Sequence, residues 1–281
     1  MYKYIDHNEQ FSDLKTINAK NNYMRIMNCL DNITIPNIPN RPYIFLSKNT
    51  LNKENFNNHL EYLCSKVFLD ENTRLLTKDL INNRMELDFN GYPFGYTSND
   101  INENNIISIE GCKYSISPMV TIHELTHAIG FINRASIPKQ YEEILSIFNE
   151  IRACQDIDET IQDEWILNKM IQRLKYRIYL IDLSDEKLNN ISDKELYFQC
   201  YFRMLNLVYA LRLYELYSMY PEELSEDINQ VLKSEISVIE LLKKYNISLE
   251  NEDTVLAYEK MIEIYEQVVR KHFSKEKTIK Q

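Results

Sequence analysis

Glycine is scarce in this sequence of 281 residues, and its four copies all fall between Gly91 and Gly130. Because glycine supplies the backbone freedom that tight turns need, irregular structure is expected mainly in that segment. The five cysteines are odd in number, and no two of them have Cys-x-x-Cys spacing. This pattern argues against a disulfide framework and against a cysteine-based zinc finger.

Long apolar runs are also missing, and no stretch is long and apolar enough to span a bilayer. The first residues lack the apolar segment of a secretion signal, so we expect a cytoplasmic protein or one exported without such a signal. Positively charged residues are outnumbered: the sequence has 32 Lys and Arg and 42 Asp and Glu, which gives a net charge of −10. That acidity argues against a nucleic-acid partner and suits a protein or peptide partner.

Helical periodicity dominates the chain after Pro138, where glycine disappears. The sequence therefore predicts an α+β fold in two parts, an α+β lobe with a small sheet at residues 1–135 and an all-helical lobe at residues 136–281. The first part is expected to contain a helix at 53–68, strands at 43–46, 73–76 and 105–109, and a turn cluster at 91–96. The second is expected to contain helices at 139–155, 160–181, 193–220, 222–245 and 251–273.

Residues 123–127, His-Glu-Leu-Thr-His, are the most informative segment of the chain. Side chains four positions apart lie on one face of a helix, so His123 and His127 can both reach a single zinc ion. Glu124 is rotated away from that face, which suits holding an attacking water better than ligating the metal. The chain has only five histidines, so two of them in this register indicate a metal site.

The helix that carries this segment has recognisable ends. Ser117 as N-cap and Pro118 at the first helical position predict its start. Gly130 is expected to end the helix or to let a neighbouring element pack closely on it. The helix lies at the junction of the two predicted lobes, where a substrate cleft is expected.

A catalytic zinc site needs a third protein ligand and one open position. One known spacing would place that ligand at Asn133, whose neutral amide is a poor zinc ligand. The next predicted helix offers Glu142, Glu143 and Glu150 instead. We prefer Glu150, because apolar residues flank it on both sides, and we keep Glu143 as the second choice.

The segments His-Glu-Leu-Thr-His-Ala, from His123, and Glu-Ile-Arg-Ala, from Glu150, resemble those of the gluzincin zinc metallopeptidases. They are similar in particular to the mitochondrial ATP-synthase-assembly peptidases, which carry two such segments about this far apart. The resemblance covers residues 117–155 and implies a zincin-like N-terminal lobe. It implies His123, His127 and Glu150 as zinc ligands and Glu124 as the general base.

Some parts of such a site are harder to assign. Thermolysin-like members often carry an aspartate where this chain has Cys154, so a supporting carboxylate would come from Asp156 or Asp158 or be absent. A donor for the oxyanion is expected from the helical lobe, with candidates Arg173, Tyr176, Tyr201, Arg203 and Arg212. The first two have a spacing seen in clostridial neurotoxin light chains, although ordinary helices also contain it. An exposed edge strand at Asn105–Ile109 is expected to pair with substrate.

These observations favour a zinc-dependent endopeptidase in which Glu124 acts as general base on the attacking water. Two alternatives stay open: a non-catalytic binding or regulatory protein on a metallopeptidase scaffold, and a metal-dependent hydrolase of non-peptide substrates. The intact Glu124 argues against the first alternative, because a scaffold without activity does not need a general base.

Overall fold

A computed structural model of the chain describes residues 14–31, 56–89, 94–98, 106–110, 118–155 and 191–278, with residues 100, 102 and 104. In chain order the elements are α1 (Ile17–Asp31), α2 (Phe56–Val67), α3 (Glu71–Asn83), β1 (Met85–Asp88), β2 (Phe94–Thr97), β3 (Ile107–Glu110), α4 (Pro118–Ile132), a 3-10 turn (Lys139–Tyr141), α5 (Glu143–Gln155), α6 (Ile191–Met219), α7 (Pro221–Leu232), α8 (Val238–Lys244) and α9 (Glu252–Thr278). This part of the chain is mostly helical with one small sheet, which is compatible with the expected α+β class. None of its helices is both long enough and apolar enough to cross a membrane.

The sheet has three short strands in the order β1-β3-β2. The central strand, β3, pairs parallel with β1 and antiparallel with β2, so that Ile107 lies opposite both Met85 and Thr97. Ile107 and Ile109 are fully buried, and the residues between and after them are partly exposed. One face of the sheet therefore belongs to the core.

Helix α4 lies between the sheet and the remaining helices, in contact with β2, β3, α2, α3, α5 and α7. Its residues Ile122, Leu125, Ala128 and Ile129 have no exposed surface. A helix with apolar side chains around most of its circumference is stable only when neighbours surround it. The burial of α4 therefore follows from its composition, and this burial holds the motif segment in a fixed position.

The first and last helices pack against each other. Arg25 on α1 forms ion pairs with Glu252 and Glu259 on α9, and Asn22 donates a hydrogen bond to the carbonyl oxygen of Leu249. Apolar residues of both helices, such as Ile26 of α1 and Tyr258 of α9, also belong to the same core.

Most of the predicted helices that fall on described residues are confirmed. The predicted helix at 53–68 is α2, that at 139–155 is the 3-10 turn with α5, that at 193–220 is α6, and that at 251–273 is α9. The predicted strand at 43–46 and the main part of the predicted helix at 160–181 lie outside the described residues.

Three predictions of local structure are wrong. Residues 73–76 form a turn of α3 instead of a strand, because Asp70 caps this helix and Thr73, Thr77 and Leu80 bury one helical face. The predicted helix at 222–245 is two helices, α7 and α8, separated by five residues. The segment 94–96, predicted as part of a turn cluster, belongs to strand β2.

The expected edge strand also needs correction. The strand predicted at Asn105–Ile109 exists as β3, but β3 is the central strand and has neighbours on both sides. Among the described residues, β2 is the edge strand that packs on the motif helix. Pairing between strands depends on contacts that are distant in sequence, so the order of strands could not be derived from the strand pattern itself.

Candidate metal centre

Helix α4 spans Pro118–Ile132, so it does not end at Gly130, and its predicted N-cap, Ser117, lies outside the described residues. The helix continues to Ile132, and Arg134 then adopts a left-handed backbone with φ of 54°. The N–H groups of Arg134 and Ala135 donate to the carbonyl oxygens of Phe131 and Gly130 at 3.1 and 2.8 Å. This pair of bonds is the Schellman arrangement that closes many helices.

Gly130 itself has no steric reason to be glycine. A Cβ built there would meet the side chains of Ala135 and Ile137 at 3.8 Å, which is ordinary van der Waals contact. The expectation that this glycine either ends the helix or admits a close neighbour is therefore wrong.

The two histidines of α4 converge as their spacing predicts. Nε2 of His123 and Nε2 of His127 are 3.1 Å apart, and the ring centroids are 4.8 Å apart. Oε2 of Glu143, at the start of α5, lies 3.2 Å from Nε2 of His123. One donor atom from each of these three residues lies within 4.8 Å of the other two, so the group could hold a metal ion.

The separations within this group fit a tetrahedral metal site. Two nitrogen ligands of a tetrahedral zinc ion lie about 3.3 Å apart, since each is about 2.0–2.1 Å from the metal. The contacts from Nε2 of His123 to His127 and to Glu143 measure 3.1 and 3.2 Å. Two imidazoles and one carboxylate are also donors that zinc accepts. The residues present therefore fit a zinc ion, although the geometry does not distinguish zinc from other divalent metals.

The surroundings of the two histidines shift their pKa values in opposite directions. Burial alone would lower the pKa of His123, but the carboxylates of Glu150 and Glu143 outweigh it and raise that pKa to about 10. Burial and the charge of His123 lower the pKa of His127 to about 4. Protons and a metal ion would compete for these ring nitrogens.

Glu150 lies on the other side of the His123 ring. Its Oε1 is 2.5 Å from Nδ1 of His123, in a charge contact that is not aligned as a hydrogen bond. The residue is 1% exposed, which agrees with the expectation that apolar neighbours bury it. Glu143 and Glu150 therefore contact opposite edges of one imidazole, whereas the sequence favoured Glu150 over Glu143 as the ligand.

Hydrogen bonds hold α5 against its neighbours. Nδ2 of Asn149 donates to Oγ1 of Thr126 on α4 at 3.1 Å, in the buried space between the two helices. The guanidinium of Arg152 donates to the carbonyl oxygens of Lys66 and Val67 at 3.0 Å and so closes the C-terminal end of α2. The Arg in the Glu-Ile-Arg-Ala segment therefore stabilises the position of α5 and does not face the histidines.

Glu124 turns away from the histidines, as its position in the helix predicts, and lies against β2. Its Oε2 accepts a hydrogen bond from Oγ1 of Thr97 at 2.6 Å. A Cβ added at Gly95 would come within 2.8 Å of Cγ and 2.9 Å of Oε1 of Glu124. Glu124 is 8% exposed, and burial raises the pKa of its carboxyl group. A carboxylate with a raised pKa is a stronger base and suits proton transfer near neutral pH.

Several other predicted residues have partners outside this group. Nδ2 of Asn133 donates to the carbonyl oxygen of Leu232, so its side chain is engaged with the end of α7. Tyr201 is fully buried against the rings of Tyr23 and Phe202. Arg212 forms ion pairs with acidic groups on α6 and α9.

Arg203 stays a prediction as an oxyanion donor. Burial and the charge of Glu143 raise the pKa of Glu142, and the charges of Lys139 and Arg203 partly offset that rise. Five predicted residues cannot be placed, because Arg173, Tyr176, Asp156 and Asp158, and the side chain of Cys154, lie outside the described part.

Sequence reasoning missed the contribution of β2. Gly95 and Thr97 contact the candidate general base, yet neither was singled out. A signal was present in the segment Phe-Gly-Tyr-Thr. In a strand, its glycine and its β-branched threonine lie on one face and its two aromatic residues on the other. The nearby glycine and proline instead favoured a turn.

Comparison with known proteins identifies no relative of this chain. No protein-family model matches it, no curated protein matches it, and no solved structure matches it.

Proposed function

We propose that this protein is a zinc-dependent endopeptidase. The observation that carries the proposal is the convergence of Nε2 of His123, Nε2 of His127 and a carboxylate oxygen from α5. The same helix presents Glu124, a buried carboxylate with a raised pKa. The resemblance of residues 117–155 to gluzincin peptidases supports the same conclusion. The two supports share the histidine pair, whose convergence follows from its spacing in the helix, and they differ over the third ligand, which is Glu143 in the geometry and Glu150 in the resemblance.

Within this proposal, Glu143 is favoured as the third ligand. Its Oε2 lies on the Nε2 side of His123, where the two imidazoles converge. Glu150 contacts Nδ1 of the same ring, the position from which a carboxylate orients an imidazole ligand and increases its basicity. Glu150 as a ligand stays a prediction of the sequence, and the arrangement of the two carboxylates favours the reverse assignment.

The chemistry of peptide hydrolysis follows from the residues around Glu124. A bound zinc ion supplies Lewis-acid chemistry that polarises a carbonyl oxygen and lowers the pKa of a water molecule. Glu124 accepts the proton of the attacking water and then delivers it to the leaving nitrogen. The burial that raises the pKa of Glu124 favours both transfers, because the carboxyl group is basic enough to take the proton and acidic enough to return it.

Strand β2 supports a polypeptide as the substrate. Among the described residues, no strand pairs with its second edge, so its backbone groups there can bond an extended peptide. The strand also contacts Glu124 through Gly95 and Thr97. A peptide bound to this edge would therefore lie beside the general base.

Zinc content and proteolysis test the proposal together. The purified protein should bind one zinc ion per chain and cleave a denatured protein, and Glu124→Gln should keep the metal while cleavage falls about 10²–10⁴-fold. Glu142→Gln is the matched control, because it makes the same chemical change outside the metal-binding group. Bound zinc without cleavage that depends on Glu124 would contradict the catalytic proposal and favour a non-catalytic binding role.

A further inference from the structure

The contact between β2 and Glu124 involves two alternate residues of one strand. Side chains in a strand point alternately to its two faces, and Tyr96, between Gly95 and Thr97, is 56% exposed. Gly95 and Thr97 therefore share the face that meets α4. The register of β2 is fixed by its antiparallel pairing with β3, in which Gly95 lies opposite Ile109 and Thr97 opposite Ile107.

Gly95 allows the carboxylate to approach the strand. An added Cβ would come within 2.6 Å of Cγ1 of Val120 and within 2.8 Å of Cγ of Glu124. Separations this short do not occur between real side chains, so any larger residue would displace the helix or the Glu124 side chain. The absence of a side chain at this position is thus a steric condition for the observed position of Glu124.

Thr97 supplies a specific bond at the same place. Its Oγ1 lies 2.6 Å from Oε2 of Glu124 and 3.0 Å from the backbone carbonyl oxygen of the same residue. A hydroxyl has one proton, and the shorter contact is the one to the carboxylate. Because the carboxylate is buried, a hydrogen bond to it is worth more than the same bond in water.

From these contacts we infer that Thr97 is a positioning residue for the general base. Its hydroxyl holds Oε2 of Glu124, and the absence of a side chain at Gly95 leaves room for Oε1. The inference rests on the proposed peptidase function. A proton acceptor works only when it is held at a defined distance and angle from the attacking water. Without the hydroxyl, the Glu124 side chain has further rotamers, and fewer molecules hold the base in the productive position.

The test compares Thr97→Val, which keeps the shape of the side chain but loses the hydroxyl, with Thr97→Ser, which keeps the hydroxyl. Thr77→Val is the matched control, because Thr77 is also buried and its hydroxyl bond stays within α3. Thr97→Val should lower kcat about tenfold with unchanged KM and zinc content. Thr97→Ser and Thr77→Val should keep the kcat of the unmodified protein.

Two outcomes of this kinetic comparison overturn the inference. One is a Thr97→Val variant whose kcat equals that of Thr97→Ser. The other is a Thr97→Ser variant that loses as much kcat as Thr97→Val, since the hydroxyl would then not be the group that matters.

A second measurement needs no activity. In denaturant unfolding of the metal-free protein, Thr97→Val should lower the midpoint in the original background but not together with Glu124→Ala, because the bond is already lost there. Equal shifts in the two backgrounds would overturn the inference. If the cycle shows coupling but no cleavage depends on Glu124, the contact stands and the peptidase proposal alone is rejected.

Discussion

The two carboxylates that flank His123 are expected to affect metal binding to different extents. Glu143 approaches the ring at Nε2, at 3.2 Å, and Glu150 approaches it at Nδ1, at 2.5 Å. If Glu143 is the ligand, Glu143→Gln removes one of three protein donors from the metal. Glu150→Gln then removes only a group that orients the ring, for which losses of about 10–100-fold in metal affinity are typical.

We therefore expect Glu143→Gln to weaken zinc binding by more than about 100-fold and Glu150→Gln by about 10–100-fold. Both carboxylates raise the pKa of His123, so both variants also reduce competition from its proton, and comparing them cancels part of that effect. Glu142→Gln, which removes the neighbouring charge, should leave the affinity nearly unchanged. Competition with a chromophoric chelator at fixed pH measures all three. The assignment is refuted if Glu150→Gln loses more affinity than Glu143→Gln, or if Glu143→Gln behaves like Glu142→Gln.

Three further predictions concern stability and are measured by denaturant unfolding. Gly95→Ala should destabilise the protein by about 1–3 kcal/mol, because the added Cβ clashes with α4. Gly130→Ala should stabilise it by about 0.5–1 kcal/mol, because its Cβ meets only ordinary contacts inside a helix. Equal effects of the two substitutions would disprove the packing described for β2. Arg134→Gly should add about 0.5–1 kcal/mol, since glycine adopts the positive φ at the end of α4 without strain, and a loss of stability would contradict this account of the helix end. Burial would raise the pKa of Asp70, but hydrogen bonds from Lys233 and the helix N-terminus lower it. The charge of Asp70 therefore stabilises the fold fully when the pH is above the pKa of about 4 that Asp has in the unfolded chain. This stabilisation is lost as the pH falls through the lower pKa that Asp70 has in the folded protein. Asp70→Asn should cost about 0.5 kcal/mol at pH 7, and this cost should shrink as the pH falls through the folded pKa of Asp70. A cost that does not depend on pH would contradict the charge contribution.

Local sequence signals predicted the helices better than their ends. The helical spacing of apolar residues located α2, α5, α6 and α9, because periodic burial is a property of each segment by itself. The break between α7 and α8 was missed although a signal existed. Ser237 and Glu240 form a capping box that starts α8. The residue with a left-handed backbone after α7 is Ser234, whereas a glycine at that position would have been recognised as a helix end. A helix end formed by an unusual residue leaves little trace in composition.

The sequence by itself determined that two imidazoles share one helical face with an acid rotated away from them, because the turn of an α-helix fixes those directions wherever the helix is placed. It also determined that this helix is buried, since apolar residues surround it. Only the tertiary structure decided which carboxylate of α5 meets Nε2 of His123, and that β2 rather than β3 lies beside Glu124. Those choices depend on the packing of α5 and of the sheet against α4, and elements distant in sequence reach that arrangement through contacts that no single segment encodes.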